Sequence, residues 1–227
     1  MHLDDDPINY AHACASRGWR VLPIKPGEKR PPMKSWQEAA TTEAETIDAW
    51  WTQLYRGHGV GVATGPKSGI FVLDVDVAGD KRGDETLASL ENKYGQLPPT
   101  PTVITPSGGI HYYFAIPAGT EIRNDAGKRL GAGLDIRGDG GQVVAPQTMR
   151  GIDSYEWDGE TWALEPAEAP RWLIERVAEL PKVESPILSQ PMRPVDDGDS
   201  PAARFNARTT WAELLEADGW TLAALPR

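Results

Sequence analysis

A mixed α/β fold is what this sequence predicts, on three observations. Short runs rich in Val, Ile and Phe, bounded by Gly and Pro, alternate with longer stretches whose apolar residues recur at helical spacing. Hydrophobic residues make up 40% of the 227 and charged residues 25%, an ordinary globular balance. No apolar run approaches the roughly 18 residues of a membrane span, so the strands and helices must bury their apolar faces against one another.

Taken in order, Pro7 to Arg17 reads as a helix entered from Asp6, with Pro7 in its first turn and Gly18 ending it. Trp19–Ile24 reads as a short strand, followed by a Pro/Gly loop carrying Lys25, Lys29 and Lys34. Thr42 to Tyr55 reads as a helix with an apolar stripe of Ile47, Trp50, Trp51 and Leu54. Thr41 or Thr42 would cap it, and Glu45 stands at capping-box spacing from Thr42. Gly59–Gly65 is a second strand and Gly69–Val77 a third. A helix through Leu87, Leu90 and Tyr94 follows the Gly79–Gly83 loop, and Gly95–Pro99 breaks it. Val103–Thr105 and Ile110–Ile116 are strands flanking Pro106-Ser107-Gly108-Gly109. Leu134–Arg137 and Gln142–Pro146 are two more, joined by Gly138-Asp139-Gly140-Gly141, and Tyr155–Trp157 is a further strand candidate. A helix from Trp172 to Leu180 closes a first domain, residues 1–180. Residues 181–202, rich in Pro, Ser and Asp without periodicity, read as a linker. Residues 203–227 read as the helical start of a following region that is cut short.

The N-terminus lacks the basic and apolar regions of a secretory signal, so a cytoplasmic protein without a membrane segment is expected. The single cysteine, Cys14, excludes an intrachain disulfide and a cysteine-rich zinc site; its small apolar neighbours suggest a buried structural role. A net charge of −10 argues against a generally basic nucleic-acid coat. A local basic surface is still compatible with it, because Arg17, Arg20, Lys25, Lys29, Arg30 and Lys34 fall close together with only Glu28 opposing them.

The chemistry centres on Ile70-Phe71-Val72-Leu73-Asp74-Val75-Asp76. Alternate strand residues share a face, so Asp74 and Asp76 are expected on one side, about 7 Å apart. Carboxylates beside an apolar run call for a partner, and a hard divalent cation such as Mg²⁺ or Mn²⁺ is the simplest. The bland alternative ends the strand at Leu73 and leaves both aspartates in a solvated turn. The Ser107-Gly108-Gly109 turn would offer backbone N–H groups to an anion, with His111 next to it on the following strand. Asp135 and Arg137 share a strand face, which pairs a third carboxylate with a guanidinium; a surface salt bridge would look the same. Thr64-Gly65-Pro66-Lys67-Ser68 is no P-loop, since Pro66 separates the glycine from the lysine.

Together these features resemble the archaeo-eukaryotic primase superfamily, specifically the bifunctional primase–polymerase (Prim-Pol) domain of phage and plasmid replication proteins. Its three motifs correspond in order to Asp74/Asp76, Ser107/His111 and Asp135. Gly18–Pro23, Lys25 to Lys29, Trp36, Thr64-Gly65 and Gly140–Pro146 also look like that domain, and the likeness spans roughly residues 7–180. It implies an N-terminal α/β module packed against a sheet module like an RNA-recognition motif, with the active site in the cleft between them. It implies template-directed nucleotidyl transfer, with two Mg²⁺ or Mn²⁺ ions held by Asp74, Asp76 and Asp135. Ser107, Gly108 and His111 would hold the incoming triphosphate, helped by Arg137, with Lys25 and Lys29 reaching triphosphate or template. The implied partners are a single-stranded DNA template with its primer, dNTPs or rNTPs, and a helicase, either C-terminal to this domain or separate. Some relatives insert a zinc-binding stem near the Ser-x-His element; this chain lacks the cysteines for one, so no zinc is expected. Two rivals remain, a catalytically silent nucleotide- or DNA-binding module and a sugar-nucleotide transferase using Asp-x-Asp. The second accounts for neither the Ser-Gly-Gly-x-His turn nor Asp135.

Overall fold

The computed structural model describes residues 6–161 and 163–179. The linker and the helix expected beyond residue 180 lie outside these described residues. The fold is mixed α/β, built on two antiparallel-dominated sheets. The smaller has three strands in the order β1 (Val21–Ile24), β2 (Gly59–Ala63), β8 (Gln142–Val144). The larger is organised around β3 (Ile70–Val75), with β5 (Ile110–Ala115) on one side and β7 (Leu134–Arg137) on the other. Beyond β5 lie β4 (Thr102–Ile104) and β11 (Glu156–Trp157), and beyond β7 lies β6 (Asp125–Ala126). β12 (Ala167–Glu168) runs parallel to the far end of β5. The helix α4 (Gly83–Tyr94) carries the chain from β3 to β4, so β5 lies between two strands that helix connects.

Side-chain alternation on β3 divides the interior in two. Ile70 and Val72, with Tyr113 and Val103, face one core together with Val21, Val60, Val62, Val143 and Val144 of the smaller sheet. Trp19 stacks on Tyr113 there, with ring centroids 5.2 Å apart, and both are nearly or wholly buried. Phe71, Leu73 and Val75 face the opposite way, with Phe114, Leu134 and Ile136. They pack against Leu87 of α4 and against Trp172, Leu173 and Val177 of α5 (Arg171–Val177). The central sheet is therefore covered on both faces, which is why β3 reads as an unbroken apolar run up to its first aspartate.

The helix α1 (Pro7–Ser16) is as expected: Asp6 caps it by accepting from the Ile8 N–H, and Cys14 is buried. Among the described residues no helix is long and apolar enough to cross a membrane. Several local expectations need correction. The helix sought from Thr42 begins at Ala44 and is regular only to Ala49 (α3), after which Trp50–Leu54 widens into a π-helical turn. No capping box forms; instead Thr41 Oγ1 accepts from the Glu43 N–H, ahead of the helix. The widened turn lets both Trp50 and Trp51 reach the core, which successive residues of a regular helix do less readily. A one-turn helix, α2 (Trp36–Ala39), stands inside the expected loop. The last described helix ends at Val177, short of Leu180. A small hairpin of β9 (Met149–Arg150) and β10 (Asp153–Ser154) had no sequence signal.

Candidate active site

Strand register assembles the site. Asp74 lies directly across from His111 on β5 and from Asp135 on β7, so the three form one row across adjacent strands. They share the face of Ile70 and Val72, where the apolar core between the two sheets gives way to polar groups. Arg137, two residues along β7 from Asp135, points the same way and joins the carboxylates. One guanidinium nitrogen donates to Asp74 Oδ2 at 3.1 Å and to Asp135 Oδ2 at 2.9 Å. The side chains of Asp74 and Asp135 are about one-fifth exposed and that of His111 is 7% exposed. Burial raises the Asp135 carboxyl above its usual range; Arg137 opposes this, while Asp74 and Asp76 add to it. All three carboxylates therefore share one electrostatic neighbourhood.

His111 points its Nε2 at Asp74 Oδ1, 3.5 Å away, and its buried Nδ1 has no hydrogen-bond partner among the described residues. Burial pushes its pKa down, with the Asp74 charge opposing. A neutral ring whose Nε2 faces a carboxylate carries its proton there. The Tyr155 ring lies 5.8 Å from the His111 ring and closes the other side.

Asp76 departs from the expected geometry. β3 ends at Val75, and the next residue turns out of the strand: its N–H donates to Gly133 O and its carbonyl accepts from Gly83. The Asp76 carboxylate accepts from the Ala78 N–H and pairs with Lys81. Burial alone would raise its pKa, but these two donors and the Lys81 charge bring it below the usual range. Lys81 in turn feels Asp76 first, then Asp135 and Asp74.

The Ser107-Gly108-Gly109 turn packs on the same end of β3. A Cβ on Gly109 would lie 2.4 Å from the Val75 carbonyl oxygen, so only glycine fits there. The turn is less open to an anion than its composition suggested. Gly108, at φ +81°, spends its N–H on the Thr105 carbonyl, and the Ser107 hydroxyl bonds Thr105 Oγ1 at 3.1 Å. Ser107 remains exposed.

Beside the row is an open depression lined by Asp74, His111, Arg137 and Tyr155 from the larger sheet's side. Lys29, Gln142, Val143 and Val144 line it from the smaller sheet's side. The Gln142 amide donates to the Lys29 carbonyl at 2.8 Å and so pins the basic loop to the rim. The Lys29 side chain is exposed overall, yet its ammonium is held below the usual range, first by burial of its charged end and then by Arg150. Four residues of the six-residue basic cluster have contacts of their own. Arg17 and Arg20 donate to the carbonyls of Leu164 and Glu38, Arg30 pairs with Glu28, and Lys25 serves the loop through its backbone. Of the six, Lys29 reaches the depression.

The structure thus brings Asp74, Asp135, His111, Arg137 and Lys29 together, sets Asp76, Ser107 and Gly108 at the end of β3, and leaves Lys25 in its loop. Lys81, Tyr155 and Gln142 join the site without having been singled out in the sequence. Among the described residues no three His, Cys, Asp or Glu side chains form a ready-made metal cluster. The carboxylates are instead held by Arg137 and Lys81. Their donor set is all oxygen, which suits Mg²⁺ or Mn²⁺, and two resident cations mark where positive charge is already required. A family model described as bifunctional DNA primase/polymerase, N-terminal (Prim-Pol), matches residues 11–172. No curated protein matches the chain.

Proposed function

The chain belongs to the Prim-Pol family of bifunctional DNA primase/polymerase N-terminal domains, and from that premise we propose that it is a template-directed nucleotidyltransferase working at the Asp74–His111–Asp135 row. The observation that carries this reading is the row itself, two carboxylates and a histidine on three adjacent strands at the mouth of a depression. Asp74 and Asp135, with Asp76 at the end of β3, would hold Mg²⁺ or Mn²⁺. Such ions supply activation of a primer 3′-hydroxyl and stabilisation of the departing pyrophosphate. Arg137 and Lys29 present positive charge to the triphosphate from opposite sides of the depression. His111, kept neutral by burial, orients Asp74 and has a donor for phosphate whenever that carboxylate is otherwise engaged. The exposed Ser107 hydroxyl and the Gly108 turn, which packs on Val75 and Val77 through Gly109 and Gly108, would add a further phosphate contact. The strand order β4-β5-β3-β7, with α4 joining β3 to β4, supports the sheet module expected from the resemblance. The setting that fits is replication of a phage or plasmid in the cytoplasm, on single-stranded DNA, with dNTPs or rNTPs and a helicase as partner.

A silent binding module is the second reading. Its support is that Arg137 and Lys81 already neutralise the carboxylates. Incorporation of labelled dNTP into a template–primer, with Mg²⁺, Mn²⁺ or EDTA, separates the two. Metal-dependent extension by the wild type is expected, lost by several orders of magnitude in Asp74→Asn, Asp76→Asn and Asp135→Asn while single-stranded DNA binding persists. No extension by the folded wild type would leave the silent module.

A further inference from the structure

The Thr64-Gly65-Pro66-Lys67-Ser68 segment, which is no P-loop, forms a pocket of another kind next to the depression. Gly141 lines the pocket, and its chain neighbour Gln142 lines the depression. The cavity, about 80 Å³, is walled by Arg20 just ahead of β1, Trp36 of α2, Lys67, Ser68 and the Asp139–Gly141 turn. Its walls are fixed in advance. Thr64 donates its N–H to the Gly141 carbonyl at 2.9 Å and its hydroxyl to the Gly138 carbonyl at 2.6 Å. A Cβ on Gly65, at φ +109°, would lie 2.8 Å from Asp139 Cα, so only glycine lets the two turns approach this closely. Arg20 gives a guanidinium N–H to the Glu38 carbonyl at 3.1 Å and its backbone N–H to Ser68 Oγ at 3.0 Å. Ser68 is 8% exposed, and a hydroxyl that accepts from Arg20 still has its own proton to give. Lys67 is exposed, and among the described residues no carboxylate stands in ion-pair contact with it. The N–H groups of Ser68 and Gly69 are spent on the Gly65 and Pro66 carbonyls, so side chains supply the donors.

We propose that this pocket holds one phosphodiester of a single nucleic-acid strand running past the depression, gripped by Arg20, Lys67 and Ser68. The inference rests on the nucleotidyl-transfer reading, since that is what brings a strand to this rim. Size and charge choose the ligand. A nucleotide calls for a cavity of about 300 Å³ or more, whereas this one admits a single phosphate group. Two cations against the Asp139 carboxylate leave one net positive charge, which matches a monoanionic diester better than the roughly −2 of a terminal phosphate. Trp36 adds an aromatic wall for the adjoining sugar or base. The catalytic row is a separate set of side chains, so the grip and the chemistry can be altered independently.

The test is fluorescence anisotropy of the full chain with a labelled template–primer bearing a single-stranded overhang, for wild type, Lys67→Gln and, as a control, Lys93→Gln on α4. Lys67→Gln should weaken binding about fivefold at about 0.1 M salt and make the slope of log K against log salt shallower by about 0.7, the value of one single-strand phosphate contact. Lys93→Gln should change neither, because α4 covers the opposite face of the larger sheet. Replacing the overhang phosphates one at a time by neutral methylphosphonates should weaken wild-type binding at one position, and there Lys67→Gln should lose nothing more. Lys67 is exposed, so the melting temperature should stay put. An unchanged salt slope in Lys67→Gln, or an equal loss in Lys93→Gln, would overturn the proposal. So would a Lys67-dependent gain from a 5′-terminal phosphate, which would make the pocket a site for strand ends. Metal-dependent extension with a Lys67-independent salt slope would remove the pocket and keep the nucleotidyl-transfer reading; Lys67-dependent binding without extension would do the reverse.

Discussion

Arg137→Gln is the perturbation that most directly probes the carboxylate site. One guanidinium nitrogen serves both Asp74 and Asp135, at 3.1 and 2.9 Å. Removing a charge-assisted hydrogen bond costs roughly 1.5–3 kcal/mol, and here two would go. Arg137 is 36% exposed, so solvent takes up part of the loss, and glutamine keeps a neutral donor. A total of about 1–3 kcal/mol is expected without divalent metal. For a chain of this size that is a fall of roughly 2–12 °C in melting temperature. The informative measurement is the same melt with Mg²⁺ or Mn²⁺ added. If an ion binds these carboxylates as proposed, it must displace Arg137 in the wild type, whereas in the variant it meets two unneutralised carboxylates. A ligand at about a hundred times its Kd adds roughly 2.7 kcal/mol, so metal should raise the variant's melting temperature more than the wild type's. Equal metal-induced shifts would refute the idea that Arg137 occupies the cation's place. An unchanged melt in EDTA would refute the bridge itself.

Three other outcomes follow from specific contacts. Gly109→Ala puts a methyl 2.4 Å from the Val75 carbonyl oxygen, and should cost about 1–3 kcal/mol in thermal or denaturant unfolding; a neutral substitution would mean the turn can move off β3. The Cys14 thiol, pushed up to about 12 by burial, should resist alkylation at about pH 8 in the native protein and label readily once unfolded. Burial lowers the His111 pKa below 6.5, so the unfolded chain takes up that proton first as pH falls. Its contribution is whole above that value and is lost below it. In EDTA the melting temperature should drop from about pH 7.5 to about pH 5.5, and His111→Asn should drop less.

The sequence was most legible where one residue's neighbours decide its state. β3, β5 and β7 could be read because apolar runs between Gly and Pro have few alternatives, and alternation then placed Asp135 and Arg137 on one face. Their convergence on Asp74 and His111 depended on register between strands far apart in the chain, which the family resemblance supplied and local pattern did not. The end of β3 was misjudged by two residues for a similar reason. Gly133 and Gly83 draw the Asp76 backbone into bonds that no local signal announces. Lys81 and Tyr155 were invisible because a lysine in a polar loop and a tyrosine after a hairpin are unremarkable until folding brings them to a carboxylate and a histidine. The π-helical turn at Trp50–Leu54 reflects a demand from the core, where two adjacent tryptophans must both be buried.

The chain leaves the larger sheet at Arg137 and enters the smaller one at Gln142, crossing from one to the other in the Gly138–Gly141 turn. The two walls of the depression are thereby stitched together at its edge, and the valines of β2 and β8 seal them to Ile70 and Val72 beneath. A cleft so bound has little freedom to close like a jaw around its contents. Whatever the depression accommodates must be met by motions at its lips, in the loop around Lys29 and the side chains of Arg137 and Lys81. The spacing between the carboxylates is inherited from strand pairing, so the part of the site that has to be accurate is also the part that moves least.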